Sequence, residues 1–225
     1  IYPKDIRPTR DLLIKRMMLV QHRTAYILSL QSMVNRNTGR KLKGSETKKL
    51  GEGEIKRMFS DKHLVMSAQS NCNVMDFLDG QIDAIEKAVI KEVKLLYPFE
   101  KLLTVPGIGN ILGMTIMLES GDMNRFQEVS NYSSYCRCVS SKKVSNGKKK
   151  GENNKKNGNK YLAWAYVEAA NFMRRFCPQA RSWHQRKVSK TNQIVATKAL
   201  SNKIARACYF IIKDQTDFDP EMLFE

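Results

Sequence analysis

Apolar residues recur at helical spacing from Thr9 onward: Leu13, Met17, Val20, Ile27 and Val34 share a face, with Arg10, Lys15, Arg16 and Arg23 between them. Pro8 stands where a helix begins. The period dissolves in NRNTGRKLKGSETKKLGEGEI, where Gly39, Gly44, Gly51 and Gly53 interrupt a basic run, which predicts a loop over about residues 35–53. A short helix is expected over Glu54–Ser67. Val74, Leu78, Ile82, Ile85, Val89 and Leu96 then form a second long stripe that stops before Pro98. Two long amphipathic helices around a basic connection predict a coiled-coil-like arm over residues 1–97, antiparallel or dimerising. The same stripes also fit the buried faces of a single bundle.

Beyond Pro98 the pattern changes. In LLTVPGIGNILGMTIMLESGDMNRF a helix is expected to end near Thr104, a tight Pro106–Gly109 turn to follow, and a new helix to start at Asn110. This reads as a helix-hairpin-helix, in which Gly107 and Gly109 bring bare backbone N–H groups to a phosphate oxygen. From Lys142 to Lys160 the chain has almost no apolar residue. Lys142, Lys143, Lys148, Lys149, Lys150, Lys155, Lys156 and Lys160 face only Glu152, so a solvated, phosphate-facing loop is expected. Gly158-Asn159 then leads into a nearly all-apolar helix from Tyr161. CPQARSWHQRK reads as a second basic turn, Ile194 to Ile211 as the last long helix, and the acidic tail from Asp214 as frayed. The fold class is all-α, with the arm followed by a compact helical domain over residues 98–225.

Charge narrows the partner. Thirty-nine Lys and Arg against 22 Asp and Glu leave +17 and a pI near 9.7, a surface suited to nucleic acid. No apolar run has the length of a membrane-spanning helix, and no signal peptide is visible. Cys72, Cys136, Cys138, Cys177 and Cys208 have no framework spacing, and Cys136-x-Cys138 lacks a second pair, so buried thiols in a reducing compartment are expected rather than zinc. The opening IYPKDIRPTR has neither Met nor a helix start, which reads as a fragment.

Composition stops short of a chemistry. Glu119 and Asp122 flank a helix end, and Asp76, Asp79, Asp83 and Glu86 lie along an amphipathic helix as solvated charge. No paired carboxylates suit two-metal phosphoryl transfer. There is no serine–histidine triad and no phosphate loop. This much supports a nucleic-acid-binding helical protein.

The ordered set Pro106–Gly109, Arg125-Phe126, Ser145 with Gly147 and Lys148, and Gly158-Asn159 resembles the C-terminal domain of the insertion-sequence one-ten transposases, which include the Piv-type DNA invertases. The upstream helices resemble the coiled-coil region of that family. The resemblance implies a recombinase that cuts and rejoins DNA through a covalent phosphoserine on Ser145, guided by a bridge RNA, in the bacterial or archaeal cytoplasm. It also implies Mg²⁺ held by the four acids of an RNase H-like domain upstream of Ile1, so that this chain alone binds but does not cut, and a homodimer or homotetramer. Where many relatives have Gly-Leu-Val-Pro before the serine, this chain has Cys136-Arg137-Cys138-Val139, and Asn146 separates Ser145 from Gly147. Ser140 and Ser141 remain alternative nucleophiles. A non-catalytic helix-hairpin-helix binding module is the other reading.

Overall fold

The computed structural model describes residues 4–96, 98–139, 142–152 and 157–224; the side chains of Lys142, Lys143, Val144, Lys149 and Glu152 lie outside the description. The fold is all-α with one short hairpin. Its elements are α1 (Arg7–Thr38), α2 (Gly44–Thr47), α3 (Glu52–Met58), α4 (Lys62–Val93), α5 (Pro98–Leu103), α6 (Asn110–Ser120), α7 (Val129–Tyr135), β1 (Lys142–Ser145), β2 (Lys148–Glu152), α8 (Lys160–Phe176), α9 (Pro178–Lys190), α10 (Gln193–Asp214) and α11 (Pro220–Phe224). The chain divides into two compact units. One is residues 11–89, and the other joins the chain up to Arg10 to everything from Ile90 onward.

In the unit of residues 11–89, α1 and α4 run antiparallel. Arg16 pairs with Glu86 at 2.6 Å and Arg23 pairs with Asp79, so seven residues forward on one helix match seven backward on the other. Two of the four acids read as solvated charge, Asp79 and Glu86, are thus ion-paired across the helices. Leu30, Met33 and Val34 from α1, Ile55 from α3, and Ala68 and Met75 from α4 form a core cluster, closed by Leu42 and Phe59. The basic connection is not one loop: α1 runs on to Thr38, and α2 and α3 are short helices whose starts are held by Glu46 and Glu54 accepting from the Lys43 and Gly51 N–H groups. The helix expected over Glu54–Ser67 is instead two pieces, broken where Asp61 accepts from the His63 and Leu64 N–H groups and starts α4.

In the other unit, α8 and α10 form the centre. Leu162, Ala165, Tyr166, Ala169, Ala170 and Met173 of α8 and Leu200, Ile204, Ala205 and Cys208 of α10 are buried together with α6 and α7 residues. Cys136, Cys138, Cys177 and Cys208 are buried free thiols, and burial pushes Cys208 up to about 12. Two expectations are corrected here. CPQARSWHQRK is no turn but the helix α9, because Pro178 suits its first turn and Ala180, Trp183 and His184 give it an inward face. The tail past Asp214 is packed: the Phe218 N–H donates to Thr104 Oγ1 at 2.9 Å, Lys101 pairs with Asp217 at 3.0 Å, and Phe224 lies against Trp183. No helix among the described residues is long and apolar enough to cross a membrane.

Candidate functional site

The lysine-rich segment is a hairpin in its described part, which corrects the expectation of a loop. Composition pointed to coil, but Asn146 (φ 51°) and Gly147 (φ 71°) both take the left-handed conformation that a two-residue hairpin turn demands, and Asn-Gly is the pair best suited to it. Ser145 pairs with Lys148 across that turn, and Val144 with Lys149. Register slips between Lys143 and Val144, which leaves Lys150 as the extra residue of a bulge. Ser145 therefore stands at the end of β1, half-buried, with the exposed Lys148 on the same face. Lys142, Lys143 and Lys149 lie in the strands, Lys150 is exposed, and Lys155, Lys156, Ser140 and Ser141 fall outside the described residues. Lys160 opens α8, exposed, with its ammonium 5.0 Å from the Tyr161 ring centre.

The chain on either side of this segment is fixed to the core. Arg137, at the unusual φ of 55°, donates from Nε (3.1 Å) and Nη2 (2.8 Å) to the Gly158 carbonyl, joining the two ends of the segment. Gly158 (φ 92°) leaves no room for a side chain, since a Cβ there would lie 2.5 Å from the Tyr135 carbonyl oxygen. Next to it, the Asn159 N–H donates to that same carbonyl at 2.6 Å. The Asn159 side chain caps α8, its Oδ1 accepting from the Tyr161 and Leu162 N–H groups, while Nδ2 donates to Glu119 Oε2 at 2.6 Å. Glu119 is 2% exposed and also pairs with Arg10 at 2.9 Å. This carboxylate, read from sequence as ordinary charge at a helix end, is the buried hub of the hairpin's base.

Two further motifs have framework roles. Arg125 donates from Nε and Nη2 to the Ser120 carbonyl at the end of α6, and its guanidinium lies over the rings of Phe126 and Tyr135. Phe126 is buried edge-on to Tyr132, whose hydroxyl shares hydrogen bonds with Ser120 and Tyr166. Burial raises the Tyr132 and Tyr166 phenols well above the usual range, so both stay protonated. Gly107 (φ 95°) packs on α8, where a Cβ would come within 2.6 Å of the Met173 nitrogen and 2.8 Å of the Ala169 carbonyl oxygen. Gly109, by contrast, is exposed at the start of α6 with open space at its Cα.

One folded unit thus holds the Pro106–Gly109 turn, Arg125-Phe126, the Ser145 hairpin and the Asn159 cap. Residues 99–185 match the family model Transposase IS116/IS110/IS902 family. The chain is also similar to a probable family 20 transposase of Pseudomonas aeruginosa, with 26% identity over 147 residues, 64% of this chain and 44% of that protein. The matched part therefore spans under half the length of that relative.

The described residues do not fit a catalytic metal. No three of His, Cys, Asp and Glu among them are placed to hold a metal ion, and the one carboxylate among them that is buried, Glu119, is already held by Arg10 and Asn159.

Proposed function

We propose that this chain is the serine-bearing part of a DNA transposase, with Ser145 as the nucleophile. The single observation that carries the reading is the family match over residues 99–185, whose span includes the Pro106–Gly109 turn, the Ser145 hairpin and the Asn159 cap of one folded unit. Ser145 Oγ attacks a DNA phosphorus. The new P–Oγ bond replaces a strand P–O bond; the Oγ proton passes to a base outside the described residues, and the departing strand oxygen takes up a proton from the protonated base or water to leave as a hydroxyl. A hydroxyl of a second strand then attacks the phosphoserine, frees Ser145 and restores a phosphodiester. Lys148, opposite Ser145, places a cation beside the phosphorane as its charge develops. Arg137, Gly158, Asn159 and Glu119 tie the chain on both sides of the serine-bearing segment to the core, which supports a role for that segment in positioning Ser145 for DNA.

The exposed Gly109 end of α6 and the hairpin lysines contact phosphates and set binding strength without reading sequence. Sequence choice is assigned to a bridge RNA, Mg²⁺ to acids outside the described residues, and the working form to a homodimer or homotetramer. The test is recombination by a protein extended to the full length of its relative, with guide RNA and donor DNA. Ser145→Ala is expected to abolish it while leaving DNA binding within about twofold, a loss of under roughly 0.4 kcal/mol. Recombination retained in that variant would sink the assignment of Ser145 as nucleophile, and DNA binding with no recombination by the unsubstituted protein would favour the non-catalytic binding module.

A further inference from the structure

Between Glu168 and Asp214 the sequence has no acidic residue, although Arg and Lys recur throughout. The helix α9 lies inside this stretch. Its inward side is settled by contacts: Ala180 is buried, the Trp183 ring lies against Phe224, and His184 Nε2 meets Thr197 Oγ1 at 3.1 Å. Its outward side is a continuous polar stripe at helical spacing, with Ser182, Gln185, Arg186, Ser189 and Lys190 exposed and Lys187 at its edge. Arg181 is committed elsewhere, donating to the Arg174 and Arg175 carbonyls that end α8.

A bland explanation covers part of this. Cations in the last turn of a helix are favoured by its dipole, and Lys187 and Lys190 stand there. That effect does not explain why α10, which follows at once, has no acid in its first turn, where acids are favoured, nor anywhere before Asp214. A solvated surface ordinarily mixes both signs. Hydroxyl and amide donors interleaved with cations suit phosphate oxygens.

We propose that the outer face of α9, centred on Arg186, Lys187 and Lys190, is a second nucleic-acid surface that seats the backbone of duplex DNA, separate from the hairpin of Ser145. The choice of DNA rests on the transposase reading. The choice of a duplex rests on the face itself: single strands are held by stacking bases on exposed aromatic rings, and both rings of this helix are turned inward, Trp183 onto Phe224 and the buried His184 onto Thr197. At 1.5 Å per residue the helix spans about 20 Å, enough to follow several phosphates of one strand.

The test is the salt dependence of binding of the chain to a duplex DNA of random sequence. Arg186→Gln, Lys187→Gln and Lys190→Gln combined are compared with Lys62→Gln, Lys87→Gln and Lys91→Gln, which remove equal charge from exposed positions of α4. The α9 variant is expected to keep its melting temperature and to lower the slope of log K against log salt by up to about 2.7, or about 0.9 for each phosphate no longer neutralised, while the α4 variant leaves it unchanged. An unchanged slope in the α9 variant overturns the proposal, as does an equal fall in both variants, which would mean that binding follows net charge. A fall seen with duplex RNA and not with DNA overturns the assignment to DNA. If Lys148→Gln with Lys150→Gln lowers the slope and the α9 variant does not, the α9 surface fails while the transposase reading stands.

Discussion

Glu119 and Asn159 meet at 2.6 Å, forty residues apart in sequence, and the carboxylate that receives the Asn159 amide also holds Arg10. Through this contact a helix cap and a buried ion pair become one structure. Removing Glu119 takes a partner from both Arg10 and Asn159, and removing Asn159 takes one from Glu119. Glu119→Ala is expected to cost about 3 kcal/mol or more of stability, the range for breaking a buried pair from one side. Asn159→Ala should cost about 1–2 kcal/mol through the missing cap. The double variant should lose less than the sum. Urea denaturation of the four proteins measures this, and strict additivity would show that the two side chains are not coupled.

Gly107 and Gly109 separate packing from ligand contact. Gly107→Ala pushes a methyl group into the α8 backbone at a positive φ and is expected to destabilise the fold severely. Gly109→Ala meets open space at φ −94°, and as a change at the N-cap of α6, where Ala is less favoured than Gly, it should cost about 1 kcal/mol or less, far below Gly107→Ala. If the start of α6 contacts phosphate, the same Gly109→Ala protein should bind DNA more weakly. Binding equal to wild type at low salt would remove Gly109 from the interface.

His184 links pH to stability. Burial, helped by the Arg174 charge, lowers its folded pKa below the ordinary value of 6.5, so the neutral ring is the folded form. The unfolded chain binds the proton first as pH falls. Its contribution is present above about pH 6.5 and is lost as pH drops through the folded pKa. Wild type should therefore lose stability between pH 7 and 5, and His184→Gln should flatten that part of the curve in thermal melts. A curve of the same shape in the variant would place the titration elsewhere.

Much of this fold is written in apolar periodicity. The stripes of α1 and α4 and the dense apolar run of α8 announce those helices, and Pro106-Gly107 announces the turn before α6, because each is a local pattern. The hairpin was hidden by composition: lysines outweighed Asn146-Gly147, although that pair dictates the turn geometry by itself. α9 was hidden because its polar face dominates a short sequence, while Ala180, Trp183 and His184 become an inward face only once α8, α10 and α11 are there to cover them. Glu119 could not be read at all. Its partners Arg10 and Asn159 are 109 and 40 residues away, and nothing local distinguishes it from a solvated acid at a helix end. Ser145 was singled out by resemblance alone; its own neighbours mark only the end of a strand.

The central claim, that Ser145 is the nucleophile, is tested most directly by trapping the covalent intermediate. The protein, extended to the full length of its relative, is incubated with end-labelled donor DNA and guide RNA, denatured, and digested for mass mapping of the attached peptide. The account predicts a denaturation-resistant protein–DNA adduct whose phosphate sits on Ser145 and which disappears in Ser145→Ala. An adduct that persists in Ser145→Ala, or one that maps to Ser140 or Ser141, would contradict it.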